Sequence, residues 1–174
     1  MKCYEVIFQA FRSLPSYYKL IFAGRVQLNI QDNNPRKLAS KYDCNKKTII
    51  IDHHIPEEEM RQYFCAADAV IISHRREHRG GSGVLAPACQ YRVPVIASNT
   101  DTGELGEIVN SYKLGLTFTA EDHQSLQESI LSFLNLEEDK RKKIKNNFFN
   151  FALTHSWEKA AEDHVALYQN LIRA

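Results

Sequence analysis

A basic loop that ends in glycines is the part of this sequence best suited to chemistry. Its first half carries arginine and histidine side chains, namely His74, Arg75, Arg76, His78 and Arg79. Its second half is nearly free of side chains and consists of Gly80, Gly81, Ser82 and Gly83. Positive charge beside unhindered backbone N–H donors is a suitable environment for a phosphate group. The loop therefore indicates a phosphate-bearing ligand.

Two short β-branched runs flank this loop and must position it. Residues 69–73 and 93–98 are continuous apolar stretches bounded by turn residues, and one brief helical stretch separates the glycines from the second run. Such runs are typical of buried parallel strands. In an open α/β sheet, the loop between them leaves the carboxyl end of a strand and enters a helix N-terminus, where N–H donors favour an anion.

The composition limits the classes of function. A chain of 174 residues, 44% hydrophobic, predicts one domain over residues 1–174. Lys and Arg number 22 against 21 Asp and Glu, so no overall basic field favours a nucleic acid partner. The four cysteines have no C-x-x-C spacing, which favours reduced thiols and a cytoplasmic location. No apolar run of about 18 residues predicts a membrane span.

Strands and helices alternate along the rest of the chain. Apolar positions predict a helix near the start, and strands are predicted at residues 18–24, 48–52 and 116–118. Asn33 or Asn34 is suited to cap a helix at residues 35–41, and Asp122 another to about Leu134. A helix over about residues 137–151 and a final helix at about 156–172, with an apolar stripe, close the chain. The alternation predicts a Rossmann-like, doubly wound parallel sheet with C-terminal helices.

Other interpretations of these residues stay in competition with phosphate binding. The arginines can be an ordinary solvated loop, and His74 and His78 have the spacing of helical zinc ligands but no third ligand nearby. Gly81 to Ala86 fits G-x-G-x-x-A, which imitates a dinucleotide-binding fingerprint, although the loop residues after Ser73 separate it from the strand. The lysine-rich run at residues 140–145 is either a solvated helix face or a peripheral contact with an anionic membrane.

Longer stretches of the sequence carry a family resemblance. They are, in order, IPEEEMRQYFCAADAVIIS, GSGVLAPACQYRVPVIAS, TGELGEIV, LGLTF, SLQESILSFL and HSWEKAAEDHVALY. Nearly the whole chain resembles the C-terminal, donor-binding domain of retaining GT-B glycosyltransferases of family four. In that alignment the opening residues match a segment that follows the domain's first strand. The resemblance therefore implies that this strand lies upstream of Met1 and that the chain is truncated within its domain.

The resemblance also implies roles for individual residues. Lys2 matches the family lysine that binds the donor diphosphate, and Gly24 and Arg25 match the turn that lines the nucleotide cleft. The loop from Gly80 to Gly83 matches the segment that faces the phosphates, with Arg75 and Arg79 beside it. The two glutamates usual in the family are replaced by Arg79 and Pro87, and Glu77 is two residues out of register. The loss of the acid that grips the ribose predicts weak nucleotide binding.

The implied activity is transfer of a hexose from a nucleotide sugar to an acceptor hydroxyl, with retention, as in polysaccharide biosynthesis. The nucleotide-sugar donor is the expected partner, and a sugar or lipid-linked acceptor would bind through an N-terminal domain that this chain lacks. No metal, cofactor or catalytic residue is expected here, and the isolated chain is expected to be inactive. The alternatives are a degenerate module that binds a nucleotide sugar or a partner without turnover and, less favoured, an NAD-binding domain.

Overall fold

The computed structural model describes residues 2–26 and 33–173 and shows strands that alternate with helices. The elements, in chain order, are α1 Tyr4–Arg12, β1 Leu20–Ala23, α2 Pro35–Lys41, β2 Thr48–Ile51, α3 Glu57–Ala66, β3 Val70–Ile72, α4 Leu85–Tyr91, β4 Val95–Asn99, α5 Leu105–Ser111, β5 Gly115–Thr119, α6 His123–Leu134, α7 Glu138–Thr154 and α8 Trp157–Arg173. A single-turn 3₁₀ helix, Asn45–Lys47, precedes β2. The predicted α/β class is confirmed.

All of the strand pairs in the described part of the chain are parallel. β1 pairs with β2, with Leu20 opposite Thr48, and β4 lies between β3 and β5, with Val95 opposite both Val70 and Gly115. The strands therefore form two groups, β1–β2 and β3–β4–β5, and no ladder joins the groups among the described residues. Because parallel strands require crossover connections, a helix lies between each strand and the next.

One cluster of buried side chains lies beneath both groups of strands. Phe8 of α1 is fully buried and its ring stacks on that of Phe22 in β1, with centroids 5.2 Å apart. The same cluster includes Ile96 of β4 and Phe118 of β5, together with apolar residues of α6. The periodic apolar face of α1 is thus buried against strands of both groups, which positions its first residues at the sheet.

A second cluster covers the opposite face of β3–β4–β5 but not that of β1–β2. It joins Val95 and Ala97 of β4 to α4, α5 and α7, where Phe148 is fully buried. On the corresponding face of the other group, the paired residues Ile21 and Ile49 are 42% and 47% exposed. Among the described residues, the three-stranded group is therefore covered on both faces, whereas the two-stranded group is covered on one face.

The predicted helix caps at Asn34 and Asp122 are confirmed. The Asn34 side chain accepts hydrogen bonds from the N–H groups of Arg36 and Lys37 at 2.9 and 3.5 Å. The Asp122 carboxylate accepts from the N–H groups of Gln124 and Ser125 at 2.9 and 3.0 Å. These short polar side chains satisfy helix donors that have no partner within the helix.

The apolar stripe of the last helix is exposed. Val165, Tyr168 and Ile172 are 52%, 58% and 85% exposed. The periodic pattern correctly predicts the helix, but it does not show whether the rest of the chain covers its apolar face. No described helix combines the length and the apolar character that crossing a bilayer would require.

Candidate ligand-binding site

The chemically active groups follow the carboxyl ends of the strands. Arg25 follows β1, Asp52 follows β2, His74 follows β3, Thr100 follows β4 and Glu121 follows β5. In parallel sheets these ends share an edge, and the loops that leave it form the usual ligand crevice of open α/β folds.

The backbone around Lys2 is fixed against the end of β3. The Cys3 N–H donates to the Ser73 carbonyl at 3.0 Å, and the Ser73 hydroxyl donates to the Cys3 carbonyl at 2.7 Å. Lys2 itself forms an isolated antiparallel bridge with His74. The predicted phosphate-binding lysine therefore lies beside the start of the predicted phosphate-binding loop.

Asn33 fixes the same segment from the other side. Its amide nitrogen donates to the Lys2 carbonyl at 3.1 Å, and its oxygen accepts from the Tyr4 N–H at 2.6 Å. Asn33 is only 7% exposed, so both contacts are shielded from water. Lys2 is exposed, yet desolvation by the atoms packed around its ammonium group lowers its pKa. Desolvation of the charged ammonium group costs free energy, and a bound anion would offset this cost.

A pair of imidazole rings stands at the end of β3. His74 is 5% exposed, and its backbone N–H donates to the Ser98 hydroxyl at 2.8 Å. Its ring lies against that of His78, with centroids 4.0 Å apart and planes inclined by 53°. Burial, followed by the positive charges of His78, the amino terminus and Lys2, lowers the pKa of His74 to about 4. His74 is therefore neutral at neutral pH in the free protein.

The predicted arginines occupy different environments. Arg75 pairs with Glu121 at 3.4 Å, and its Nε is shielded from solvent with no hydrogen-bond partner in the described part of the protein. Arg76 and Arg79 are exposed. Arg75 is thus oriented by a carboxylate from the turn after β5, whereas the side chain of Arg79 lies at the surface.

The glycine loop leaves open space beside its backbone, although the backbone conformation there does not require glycine. A Cβ added to Gly81 or Gly83 would meet no atom within 4 Å, and neither residue has a positive φ. The Ser82 hydroxyl accepts from the Val84 N–H at 3.3 Å, one residue before α4 begins. Empty space beside backbone N–H groups, where side chains would fit, is what a bound ligand needs.

Gly24 and Arg25 directly follow β1, which ends at Ala23, one residue before the predicted end of the strand. Gly24 has a φ of 137°, which favours glycine, and its N–H donates to the Ile51 carbonyl at 3.0 Å. The exposed Arg25 is followed by Val26, whose N–H donates to Asp52 at 2.8 Å.

The loop after β4 contacts the basic loop and was not predicted to belong to the site. The Thr100 hydroxyl donates to the His78 carbonyl at 3.3 Å and accepts from the Gly103 N–H at 2.9 Å. A Cβ at Gly103 would lie 2.7 Å from the same His78 carbonyl, so glycine is required for this approach. The turn-rich sequence after β4 was the only signal of this contact.

Several interpretations of the site can be compared with the geometry. The described residues contain no group of three His, Cys, Asp or Glu side chains that could hold a metal ion. A cavity of about 560 Å³ lies between Phe64, Tyr91 and Arg141, among other residues, and not at the basic loop. What the structure brings together is Lys2, His74, His78 and Arg75, a set of nitrogen bases and cations suited to a phosphate group.

A Rossmann-like α/β unit with cationic loops at the carboxyl ends of its strands defines the general class of this chain. Its family is "Glycosyl transferases group 1": the family model matches residues 1–150, and the chain belongs to this family. Comparison of the sequence with curated proteins found no match.

Solved structures of similar fold include several glycosyltransferases. Sucrose-phosphate synthase of Thermosynechococcus elongatus is 22% identical with a TM-score of 0.78, and the match covers 99% of this chain and 43% of that one. HepE of Anabaena in complex with UDP is 18% identical with a TM-score of 0.79, covering 97% and 45%. HepE has also been solved with UDP-glucose, at 19% identity and a TM-score of 0.71, covering 87% and 40%.

A solved domain matches this chain over more of its own length. The C-terminal domain of the group 1 family protein LpcC from Francisella tularensis is 18% identical with a TM-score of 0.66, covering 86% of this chain and 77% of that one. By contrast, this chain spans less than half the length of the sucrose-phosphate synthase and HepE chains.

Proposed function

We propose that this chain is the donor-binding half of a retaining GT-B glycosyltransferase of family four. It would bind a nucleotide sugar from which a hexose is transferred to an acceptor hydroxyl. The observation that carries the proposal is the convergence of Lys2, His74 and Arg75 at the carboxyl end of β3, in a chain of the group 1 family. The fold similarity to a C-terminal domain supports assignment to the donor half.

The charges at this edge suit the departure of a nucleoside diphosphate. As the bond from sugar to phosphate breaks, negative charge grows on the diphosphate oxygens. Lys2, Arg75 and Arg79 would stabilise that charge, and the open backbone at Gly81 and Gly83 would let the phosphates approach. The acceptor hydroxyl would attack from the same face, which gives retention. In this proposal the fixed cations stabilise the negative charge on the diphosphate that a divalent metal stabilises in other enzymes, so no metal is included.

The acceptor side belongs to polypeptide outside this chain. We propose that a sugar or lipid-linked acceptor binds through an N-terminal domain, so that the isolated chain binds donor without turnover. A further strand would lie between β1 and β3, each of which has a ladder partner on one edge only among the described residues. The segment at Lys2 lies beside the end of β3, where such a strand would lead into α1. A cytoplasmic enzyme with a peripheral membrane contact fits this scheme.

One observation favours a second candidate, a module that binds without catalysis. Arg79 and Pro87 stand where the family usually has glutamates, and Pro87 lies inside α4, where its ring offers no hydrogen-bonding group to a ribose. A degenerate domain that keeps phosphate contacts and loses the ribose contact would have this arrangement. It predicts that the restored enzyme, with both halves present, also fails to turn over.

Calorimetric titration tests the proposed function. We expect binding of UDP-glucose or GDP-mannose that weakens with added salt, with a dissociation constant of roughly 0.1 to 1 mM, equivalent to about 4 to 5.5 kcal/mol of phosphate contacts. NAD serves as the matched control because it carries a diphosphate on a different scaffold. Tight binding of NAD, with no binding of a nucleotide sugar, would contradict the proposal and favour a dinucleotide-binding domain.

A further inference from the structure

His74 lies at the proposed donor site in a buried position that sets its protonation state apart from that of an exposed histidine. Its ring is 5% exposed and packs against His78, at the point where β3 ends and the basic loop begins. Its backbone is fixed by Ser98 of β4 and by the bridge to Lys2. The backbone that carries the ring is therefore held at the end of the strand.

The charged groups around the histidine pair come from several elements. Lys2 approaches from the segment before α1, and Arg75 from the same loop as His78. The nearby acids act on Arg75: Glu121 from the turn after β5 pairs with it, and Glu5 of α1 feels its charge. Glu5 is in addition hydrogen-bonded to Lys41 and Tyr42. The charges that act on His74 itself are positive.

A bound anion would favour protonation of a buried imidazole that lies among cations. In the free protein, protonation would place a further positive charge in a poorly solvated position, and this is unfavourable. A diphosphate beside Lys2 would bring negative charge to the same edge and would reverse the sign of the interaction. The protonated ring could then donate N–H hydrogen bonds, as an imidazolium does with both nitrogens.

We propose that His74 is a further phosphate-binding group of this site and that, with His78 against it, it takes up a proton when the diphosphate of a nucleotide sugar binds. The proton comes from solvent and goes to a ring nitrogen of His74, and no covalent bond is made or broken. The inference rests on the proposed function, because it assigns a role within the same donor site.

Proton uptake predicts a specific dependence of affinity on pH. The free ring is neutral at neutral pH, and the pKa of His74 rises in the complex. Affinity for the ligand therefore increases as pH falls below the pKa of the bound state. We expect UDP-glucose to bind at least about threefold more tightly at pH 5.5 than at pH 7.5. UDP-glucose is the suitable probe because its two phosphates carry no proton that titrates in this range.

The test is calorimetry of the full chain with UDP-glucose at pH 6.5, in two buffers of different ionisation enthalpy. The difference in observed heat gives the number of protons taken up. We expect net uptake for the unchanged protein and for His164→Phe, an exposed histidine on α8. We expect this uptake to be abolished in His74→Phe, which keeps an aromatic ring against His78, and reduced in His78→Phe.

NMR shifts of the imidazole rings in the unchanged protein provide a second test, which does not depend on whether a variant folds. A His74 resonance that titrates at higher pH with UDP-glucose than without it supports the inference. Binding with no proton uptake and an unshifted His74 resonance would overturn the inference and leave the proposed function intact. Failure of UDP-glucose and GDP-mannose to bind at any pH from 5.5 to 7.5 would overturn both.

Discussion

Ser73 and Cys3 exchange two hydrogen bonds across 70 residues of sequence. The Ser73 carbonyl accepts from the Cys3 N–H at 3.0 Å, and the Ser73 hydroxyl donates to the Cys3 carbonyl at 2.7 Å. This pairing attaches the first residues of the chain to the end of β3. It therefore fixes the backbone next to Lys2, from which the proposed phosphate-binding side chain extends.

Asn33→Ala tests whether the placement of Lys2 matters for binding. The change leaves the Tyr4 N–H and the Lys2 carbonyl without their partner, and we expect a loss of about 2 kcal/mol in the free energy of unfolding. We expect weaker UDP-glucose binding as well, because Lys2 loses one of its two supports. Urea unfolding and calorimetry measure the two effects.

The neighbouring Asn34→Ala is the matched control. It removes only the cap of α2, which costs about 1 kcal/mol, and it should leave ligand affinity unchanged. If both variants weaken binding equally, the loss reflects general destabilisation and Lys2 placement is not the cause.

Gly83→Val tests the approach of the phosphates to the backbone. A side chain there meets no protein atom within 4 Å and the φ is not positive, so we expect the fold to survive. The branched side chain would occupy the space proposed for the ligand, and binding should be lost. Gly115→Val provides the contrast, since its Cβ would overlap the Val95 carbonyl and unfold the strand pair. Normal binding by a folded Gly83→Val protein would place the ligand elsewhere.

Acid should destabilise the free chain through His74. The pKa of this residue is about 4 in the folded state, below its ordinary value of 6.5. The unfolded state therefore binds more protons between these values, and the associated stability is present above pH 6.5 and lost as pH falls toward 4. The full loss is up to about 3 kcal/mol. Urea midpoints measured across this range should fall less in His74→Phe; an identical fall would contradict the assignment.

Pro87→Glu restores a carboxylate where the family usually has one. Pro87 is the third residue of α4, where a missing N–H costs no helix hydrogen bond and a glutamate interacts favourably with the helix dipole. We expect a folded protein with tighter UDP-glucose binding, by about 1 kcal/mol for a hydrogen bond to the ribose. Pro87→Gln separates the effect of charge from that of removing proline. Unchanged or weaker binding in a folded Pro87→Glu protein would mean that the pocket does not follow the family alignment.

Sequence patterns predicted the local elements because local interactions determine them. The strand Thr48–Ile51 follows from its β-branched run, and the caps at Asn34 and Asp122 follow from residue type next to an apolar helical period. The sequence pattern did not predict that the apolar stripe of α8 is exposed. Periodicity reports which face a helix is able to bury, whereas Tyr168 is exposed because nothing in the described part of the chain covers that face.

The sequence indicated which loops could form the candidate site but not the contacts that hold them. The loop containing Arg75 and the glycines was recognised because cations and small residues are adjacent in sequence. The support of Lys2 by Asn33, 31 residues away, depends on tertiary packing and has no sequence signal beyond a polar residue near a helix cap. His74 and His78 were recognised as part of the basic loop and weighed as metal ligands, but their spacing gives no indication that the two rings pack together or that His74 is buried.

The most direct test of the account is a map of amide NMR shifts of the chain on titration with UDP-glucose. The account predicts saturable changes at Lys2, in the turn of Gly24 and Arg25, and along residues 74–83. It predicts none around the cavity between Phe64 and Tyr91, which lies away from the basic loop. Changes confined to that cavity, or no saturable change up to about 10 mM ligand, would contradict the claim that the carboxyl ends of the strands form a nucleotide-sugar site.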